Sequence, residues 1–231
     1  PKGIKPAGAE AVMKQKAEIQ GITATIIDLA RRGYLKIREI EKKRLGIFKT
    51  GDWELIKTDK DIYKNSDLDN YEKDLINALF LRTLSVKLSR LKKRKTFARE
   101  IDSIKKEIIK RAVKRGYYPL SPKKIFTNYF LKGLAVIFIL FLAFGFLKLG
   151  STVNIISLVF SFFIIFAFSL VMPRRTKKGK ITQEKLEGFK MFLSITEKDR
   201  VKFHFSPKTH PEKFAEYLPY AIVFEVEKEW A

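Results

Sequence analysis

The sequence contains no cysteine and only two histidines, which excludes or weakens several common kinds of functional site. Without cysteine the chain forms neither disulfides nor thiolate metal sites, and this absence fits a reducing compartment. His204 and His210 lie in one proline-containing loop, and their spacing matches neither a helical i, i+4 metal pair nor a zincin motif. A phosphate-binding glycine loop and a nucleophile elbow are also missing. We therefore predict a protein that is not an enzyme and has no catalytic residues, metal or cofactor.

Charged residues are almost absent from two long apolar stretches. Residues 125–147 contain one charged side chain, Lys132, and residues 151–172 contain none. A 23-residue helix is about 34 Å long, which is enough to cross a bilayer. Core helices of a soluble protein are the alternative, but these are normally shorter and carry a polar stripe. We predict a transmembrane hairpin in which Lys132 extends its ammonium group toward the lipid headgroups.

Acidic residues are scarce beside these stretches, and the chain as a whole has 47 Lys and Arg against 25 Asp and Glu. Residues 87–132 contain 16 basic and three acidic residues, and residues 174–180 contain five basic and no acidic residues. The positive-inside bias places both flanks in the cytoplasm. We therefore predict a multi-pass protein of the cell membrane with both basic segments cytoplasmic. Few polar groups lie at membrane depth, which favours an anchor over a transporter.

The flanking segments predict a mainly α fold with a small β-hairpin. Residues 6–58 read as two helices, a stop at Gly33, a strand, a basic turn and a second strand, which is the order of a winged helix. A helix over 71–84, a cationic loop over 89–96 and an amphipathic helix over 97–115 follow. After the hairpin, Thr182 is expected to cap a helix, and Pro219 to break the last segment into two short helices. This C-terminal segment is expected to pack back on the first, because neither part alone buries a large core.

The predicted division of the chain has five parts. They are a basic, winged-helix-like and helical cytoplasmic segment (1–124), a transmembrane helix (125–147), an external turn (148–150), a second transmembrane helix (151–172) and a C-terminal cytoplasmic helical segment (173–231).

The basic side chains predict two kinds of contact. Those beside the membrane are candidates for binding anionic lipids: Lys105, Lys106, Lys110, Arg111, Lys114, Arg115, Arg174, Arg175, Lys177 and Lys178. An equally good interpretation is that the helix around 97–115 packs on its own domain. Those of the winged-helix-like segment are candidates for nucleic-acid contacts: Arg31, Arg32, Arg38, Lys42, Lys43 and Arg44. Asp28 in the same helix counts against DNA, and a solvated face that serves protein contacts is the favoured interpretation.

Four phrases carry a resemblance to a known family: GIKPAGAEA at 3–11, ITATIIDLARRGYLKI at 22–37, LEGFKMFLSITEKDR at 186–200 and FAEYLPYAIVFEVEKEWA at 214–231. Together they resemble the YciQ-like predicted membrane proteins of unknown function. The resemblance implies that an extracytoplasmic domain and another transmembrane helix precede Pro1. It transfers no catalytic residue. Where that family usually has a small residue, commonly Gly, this chain has Glu225.

These observations predict a membrane-anchored cytoplasmic module for protein interaction or signal coupling, without catalytic activity. Its expected partners are membrane lipids and an unidentified protein. The main alternative is a membrane-tethered DNA-binding regulator that uses the winged-helix-like segment, with nucleic acid as its partner. An enzyme that uses scattered carboxylates at the membrane surface is a third hypothesis without support in the sequence.

Overall fold

The computed structural model describes residues 3–44, 48–63, 67–81, 83–146, 152–195 and 211–227, with side chains except at 41–44, 48–50, 152, 153 and 195. The chain is mainly helical with one small antiparallel sheet. The elements in order are α1 (Pro6–Lys14), α2 (Ile19–Arg31), β1 (Leu35–Arg44), β2 (Phe48–Lys57), α3 (Asn70–Phe80), β3 (Ser85–Lys87), α4 (Leu88–Lys93), α5 (Lys95–Lys114), α6 (Pro122–Phe146), α7 (Thr152–Val171), α8 (Lys177–Ile195) and α9 (Pro211–Phe224).

The chain forms two compact units. The first, here called the discontinuous unit, comprises Pro1–Ala112 and Thr182–Ala231, and so includes segments from both sides of the apolar stretches. The second, here called the hairpin unit, comprises Val113–Ile181.

Helix α2 is defined at both ends by interactions that are visible in the structure. At its start, the buried carboxylate of Glu10 accepts the backbone N–H groups of Glu18 (2.8 Å) and Gly21 (3.1 Å), and so satisfies two donors of the first turn. A Cβ at Gly21 would collide with this carboxylate, so a larger residue would displace the Glu10 side chain from these hydrogen bonds. Burial raises the pKa of Glu10, an effect that these hydrogen bonds only partly offset. At its end, Gly33 has φ +80° and confirms the predicted helix stop.

The sheet has the strand order β1-β2-β3, and both pairs are antiparallel. Leu35 pairs with Lys57, and Glu54 with Lys87. The predicted hairpin is therefore present, but two details were wrong. The basic residues 42–44 and residues 48–52 are strand and not turn, and β3 is an additional strand. Cross-strand pairing, which sequence composition does not reveal, extends β1 and β2 through these charged positions.

The cationic stretch 89–96 is helical except at Arg94, so the predicted loop over this stretch was wrong. Helix α4 occupies its first part, and α5 begins at Lys95. The carboxylate of Asp52 on β2 accepts the backbone N–H (3.2 Å) and the hydroxyl (2.6 Å) of Ser89 in the first turn of α4. Leu91 is buried on the inner side of this helix. The capping group thus comes from a strand 37 residues earlier.

The C-terminal segment packs on the first segment, as predicted from the small core that either part alone could bury. Helix α9 contacts α1 and α2, and the hydroxyl of Tyr220 donates to the carbonyl of Ile4 (2.6 Å). Phe189 of α8 makes edge-on ring contacts with Tyr217, Tyr220 and Phe224 of α9. These contacts give the discontinuous unit part of its core.

Two predictions about this segment were wrong. Pro219 lies inside one continuous helix, α9, where it lacks the N–H that an unbroken helix would donate at that position. Burial of Pro219, Ala221, Val223 and Phe224 offsets that loss. Thr182 is not a cap either, because α8 already begins at Lys177. The cap is Thr176, whose hydroxyl oxygen accepts the N–H of Gly179 (3.0 Å).

The hairpin unit contains the two apolar helices. Helices α6 and α7 contact each other through aromatic rings that pair Phe126 with Phe166 (6.3 Å between centroids) and Phe130 with Phe162 (6.1 Å). From the first pair to the second, the residue number rises on α6 and falls on α7. The two helices are therefore antiparallel. Both helices are long and apolar enough to cross a membrane, with mean hydropathies of 2.2 and 2.4 over their most apolar windows. These windows are almost entirely exposed, unlike the core helices of a soluble protein. The predicted turn at 148–150 lies outside the described residues.

Candidate functional site

Polar side chains of the discontinuous unit converge on Glu72 in the first turn of α3. Its side chain is only 1% exposed. One carboxylate oxygen accepts the backbone N–H of Asp69 (2.7 Å), and the carboxylate of Asp69 accepts a backbone N–H of the helix in return. This reciprocal pair is a capping box, which fixes the position of the Glu72 carboxylate.

Arg32 lies beside Glu72 at the end of α2 and is also largely buried, with 11% of its side chain exposed. Its guanidinium contacts three carboxylates: Glu72, Asp28 (Nε to Oδ2, 2.9 Å) and Asp67 (Nη1 to Oδ2, 3.1 Å). Burial alone would lower the pKa of Arg32, but the charges of Glu72 and Asp28 outweigh it and raise that pKa further. The hydrogen bond from Arg32 lowers the pKa of Asp67. Arg32 and Asp67 are therefore ionised at neutral pH.

Three more cations complete the group, which we call the ionic cluster. Lys5 reaches Glu72 and lies 3.8 Å from the Asp69 carboxylate. Arg111 of α5 pairs with Asp69, and Arg31 pairs with Asp28 (2.8 Å). The members are Lys5, Asp28, Arg31, Arg32, Asp67, Asp69, Glu72 and Arg111.

Charge is balanced within the ionic cluster, because four cations face four carboxylates. Buried charges that are fully paired and hydrogen-bonded fix a geometry, and removing one partner is costly. The cluster joins the segment before α1, the end of α2, the start of α3 and α5. The ionic cluster is therefore a structural link between these elements.

The ring of Tyr34 lies next to the ionic cluster and has cations near its π-system. Lys60 Nζ is 4.3 Å and the Arg32 guanidinium 5.6 Å from the ring centroid. The buried hydroxyl has no hydrogen-bond partner within the described part of the chain. Burial, followed by the charge of Asp67, raises the pKa of Tyr34, so this phenol stays protonated at neutral pH.

Three of the six candidate nucleic-acid residues have side chains in the described part of the structure, and the surroundings of these three differ. Arg32 belongs to the ionic cluster, and Arg31 is tied to Asp28. Arg38 is exposed on β1. The backbones of Lys42, Lys43 and Arg44 lie in β1, and their side chains are outside the described part of the structure.

The candidate lipid contacts are divided between the two units. In the discontinuous unit, Lys106 and Lys110 are exposed on α5 and Lys105 is half-buried, while Arg111 is held by Asp69. The apolar side of α5 is buried at Ile101, Ile104, Ile108 and Ala112, which agrees with the interpretation that this helix packs on its own domain.

In the hairpin unit, Lys114, Arg174, Lys177 and Lys178 are exposed, while Arg115 and Arg175 are half-buried. Lys178 Nζ donates to the carbonyl of Arg115 (2.7 Å) and lies 5.6 Å from the ring centroid of Tyr117. Residues 113–181 contain eleven Lys and Arg and no Asp or Glu. This basic end of the hairpin unit is therefore strongly positive.

One surface of the sheet leaves large apolar side chains in solvent. Ile37 on β1 is 39% exposed and Trp53 on β2 is 45% exposed. The register pairs Glu39 with Trp53 and Ile37 with Leu55, which places Ile37 and Trp53 diagonally on the same face. We call these two residues the sheet patch.

Sequence reasoning missed both the ionic cluster and the sheet patch. The local signal for the first was the D-x-x-E sequence at Asp69–Glu72, which is a capping-box pattern. No local signal shows that Arg32 would reach Glu72, which is 40 residues away. The described residues contain no group of three His, Asp or Glu arranged to hold a metal ion, and His204 and His210 lie outside them.

The two exposed apolar helices of the hairpin unit and the charged, ion-paired discontinuous unit are together typical of a membrane protein. The chain belongs to the predicted membrane protein family DUF2207, whose C-terminal domain matches residues 1–231. The finer YciQ-like designation stays a prediction. No curated protein and no solved structure matches the chain.

Proposed function

We propose that the protein is a membrane-anchored module that binds a protein partner and couples it to events in the membrane, without catalysing a reaction. In this proposal the hairpin crosses the cell membrane and the discontinuous unit lies in the cytoplasm, where the positive-inside bias places it.

The sheet patch is the observation that carries this proposal. Exposed tryptophan is uncommon on a surface that has no partner, and Trp is among the residues that contribute most to protein interfaces. Trp53 and Ile37 lie on the same face of the sheet as the buried Leu35 and Leu55, so the patch borders the core. Because more than half of each side chain is already buried, a partner that covers both would gain roughly 0.5–1.5 kcal/mol for each one.

Coupling is supported by the way the discontinuous unit is built. Its segments precede and follow the hairpin, so the chain enters the membrane from this unit and returns to it. The ionic cluster stiffens the same unit by joining α2, α3 and α5. A movement of the hairpin therefore reaches the unit through two covalent connections.

Site-specific photo-crosslinking in intact cells tests the partner proposal. A photoreactive phenylalanine analogue at Trp53 should give a discrete crosslinked species, and the same analogue at Lys36 should not, because Lys36 is exposed on the opposite face of β1. The Ile37→Ser substitution should then weaken the product formed at position 53. Equal products at both positions, or none at Trp53, would contradict the proposal.

DNA binding by the winged-helix-like segment remains the alternative function. The exposed Lys36 and Arg38 on β1 favour it, whereas the engagement of Arg32 in the ionic cluster weakens it. A gel shift with the detergent-solubilised chain across a salt series distinguishes the two. Saturable, sequence-dependent binding at physiological salt that is lost in Arg38→Gln would favour DNA, and binding that vanishes with modest salt would indicate charge alone.

A further inference from the structure

A groove runs along the contact between α6 and α7 in the hairpin unit. Each helix contributes a stripe of side chains with the i, i+3 or i+4, i+7 spacing of one helical face. The lining residues are Tyr129, Lys132, Gly133 and Val136 on α6, and Ile165, Phe168, Ser169 and Met172 on α7. The groove has a volume of about 270 Å³ and is open on one side.

The floor of the groove exists because of Gly133. A Cβ at this position would collide with the side chain of Ile165, so the two helices approach closely there. Ser169 adds no free polar group, because its hydroxyl donates to the carbonyl of Ile165 (2.7 Å) within its own helix. Lys132 is therefore the sole charged side chain among the lining residues, and Tyr129 adds a phenol that is half exposed.

Lys132 has no hydrogen bond or ion pair with the rest of the described hairpin unit, whose sequence contains no acidic residue. It lies ten residues from the start of α6, which is about 15 Å along the helix axis. A lysine at this depth requires an anion or the headgroup layer within reach of its stem. The groove extends to Met172, and Arg174 lies two residues after it, so the mouth of the groove is at the basic end of the hairpin unit.

We propose that this groove binds one anionic phospholipid. Its phosphate pairs with Lys132 near Tyr129, and one acyl chain lies along Ile165 and Val136. Charge complementarity selects this occupant, because Lys132 has no counter-ion within the described hairpin unit and the other side chains that line the groove are uncharged. The proposal requires only that α6 and α7 lie in a bilayer, and it does not depend on the protein partner proposed above.

Native mass spectrometry of the full chain, released from detergent micelles that contain equal amounts of phosphatidylglycerol and phosphatidylcholine, tests the site. The chain should retain more phosphatidylglycerol than phosphatidylcholine. Lys132→Gln should lower that retention about fivefold, the factor expected for one cation beside an anionic lipid. Val136→Trp should lower it similarly by filling the groove without a change of charge.

Two matched variants serve as controls. Lys148→Gln removes the same charge elsewhere in the acid-free segment, and Ile139→Trp adds the same bulk at an α6 position that is 63% exposed and does not line the groove. Both should retain phosphatidylglycerol as the unchanged chain does. Equal retention of the two lipids, control variants as weak as Lys132→Gln and Val136→Trp, or a lipid-free dimer would each overturn the proposal.

Discussion

Glu225 ends α9 with φ +61°, in the left-handed region that normally favours glycine. The N–H of Glu225 donates to the carbonyl of Ile222, and that of Val226 to Ala221, which together form a Schellman motif. Glycine is the usual residue at this position of the motif, as it is at Gly33 after α2. The Glu225 side chain instead pairs with Lys14 (2.5 Å), which links α9 to α1.

Substitution of Glu225 separates its backbone strain from its ion pair. Both Glu225→Gly and Glu225→Ala lose the pair with Lys14, but only glycine relieves the left-handed strain. We expect Glu225→Gly to be more stable than Glu225→Ala by about 1 kcal/mol. Thermal unfolding of the full chain in detergent micelles measures this difference. An alanine variant as stable as the glycine variant would show that the backbone is not strained there.

The pair between Lys14 and Glu225 also predicts a pH dependence. The hydrogen bond from Lys14 lowers the pKa of Glu225 below its ordinary value of 4.5. The folded state therefore binds this proton less readily than the unfolded chain, and the pair stabilises the fold above that value. Its contribution is lost as the pH falls through the lowered pKa. Because Glu225 is mostly exposed, the effect is well below 1 kcal/mol.

Comparison of melting temperatures at neutral and acidic pH checks this dependence. The stability difference between the unchanged chain and Glu225→Ala should shrink as the pH falls below 4.5, and 1 M salt should shrink it at neutral pH as well. A difference that stays constant across this range would mean that the ion pair contributes nothing.

Glu72 is the buried residue whose charge should matter most. Glu72→Gln keeps the shape of the side chain but leaves Arg32 and Lys5 without their shared carboxylate. We expect a loss of about 3–5 kcal/mol in the free energy of unfolding, typical of breaking a buried ion pair. Asp102→Asn, at an exposed position on α5, should change stability by less than about 0.5 kcal/mol. Urea or thermal unfolding of both variants in detergent micelles measures these changes in stability. Equal losses in the two variants would contradict the prediction.

Helix α8 contains two glycines in opposite environments. A Cβ at Gly179 would collide with the carbonyl oxygen of Tyr117, whereas a Cβ at Gly188 meets open space. Gly179→Ala should therefore destabilise the chain by about 1–3 kcal/mol through overpacking. Gly188→Ala should stabilise it by about 0.5–1 kcal/mol through helix propensity. Unfolding curves of the two variants should shift in opposite directions, and a shift in the same direction would contradict the contact with Tyr117.

Elements with local signals were predicted from the sequence. The stop at Gly33, the amphipathic periodicity of α5 and the two apolar helices all depend on neighbouring residues. The start of α4 was not predictable, because its cap comes from Asp52 on another strand. The continuity of α9 through Pro219 depends on burial that the local sequence does not show.

The ionic cluster could be predicted least. Its charges are spread over residues 5–111, and in the sequence they are indistinguishable from solvated surface residues. For this reason the burial of Arg32, a candidate nucleic-acid contact, was not anticipated from the sequence. By contrast, the high positive charge of the hairpin unit follows directly from composition.

At the scale of the whole molecule, orientation in the membrane is the property on which most functional proposals depend. The chain has no cysteine, so single cysteines at Ser66, Gly150 and Ser206 can be labelled individually. With an impermeant thiol reagent on intact cells, we expect only position 150 to react before lysis. Reaction at 66 and 206 instead would place the basic segments outside the cell.

The discontinuous unit can complete its fold only after α9, its last helix, has been synthesised. The Lys14–Glu225 and Tyr220–Ile4 contacts join residues 211 and 216 positions apart. During translation, α1 and α2 therefore leave the ribosome long before α9 exists, and the apolar hairpin is synthesised in between. The faces of α1 and α2 that α9 covers stay open throughout this interval. Maturation of this unit is thus timed by insertion of the hairpin, and a chain stalled before residue 211 would expose the surface that chaperones and proteases recognise.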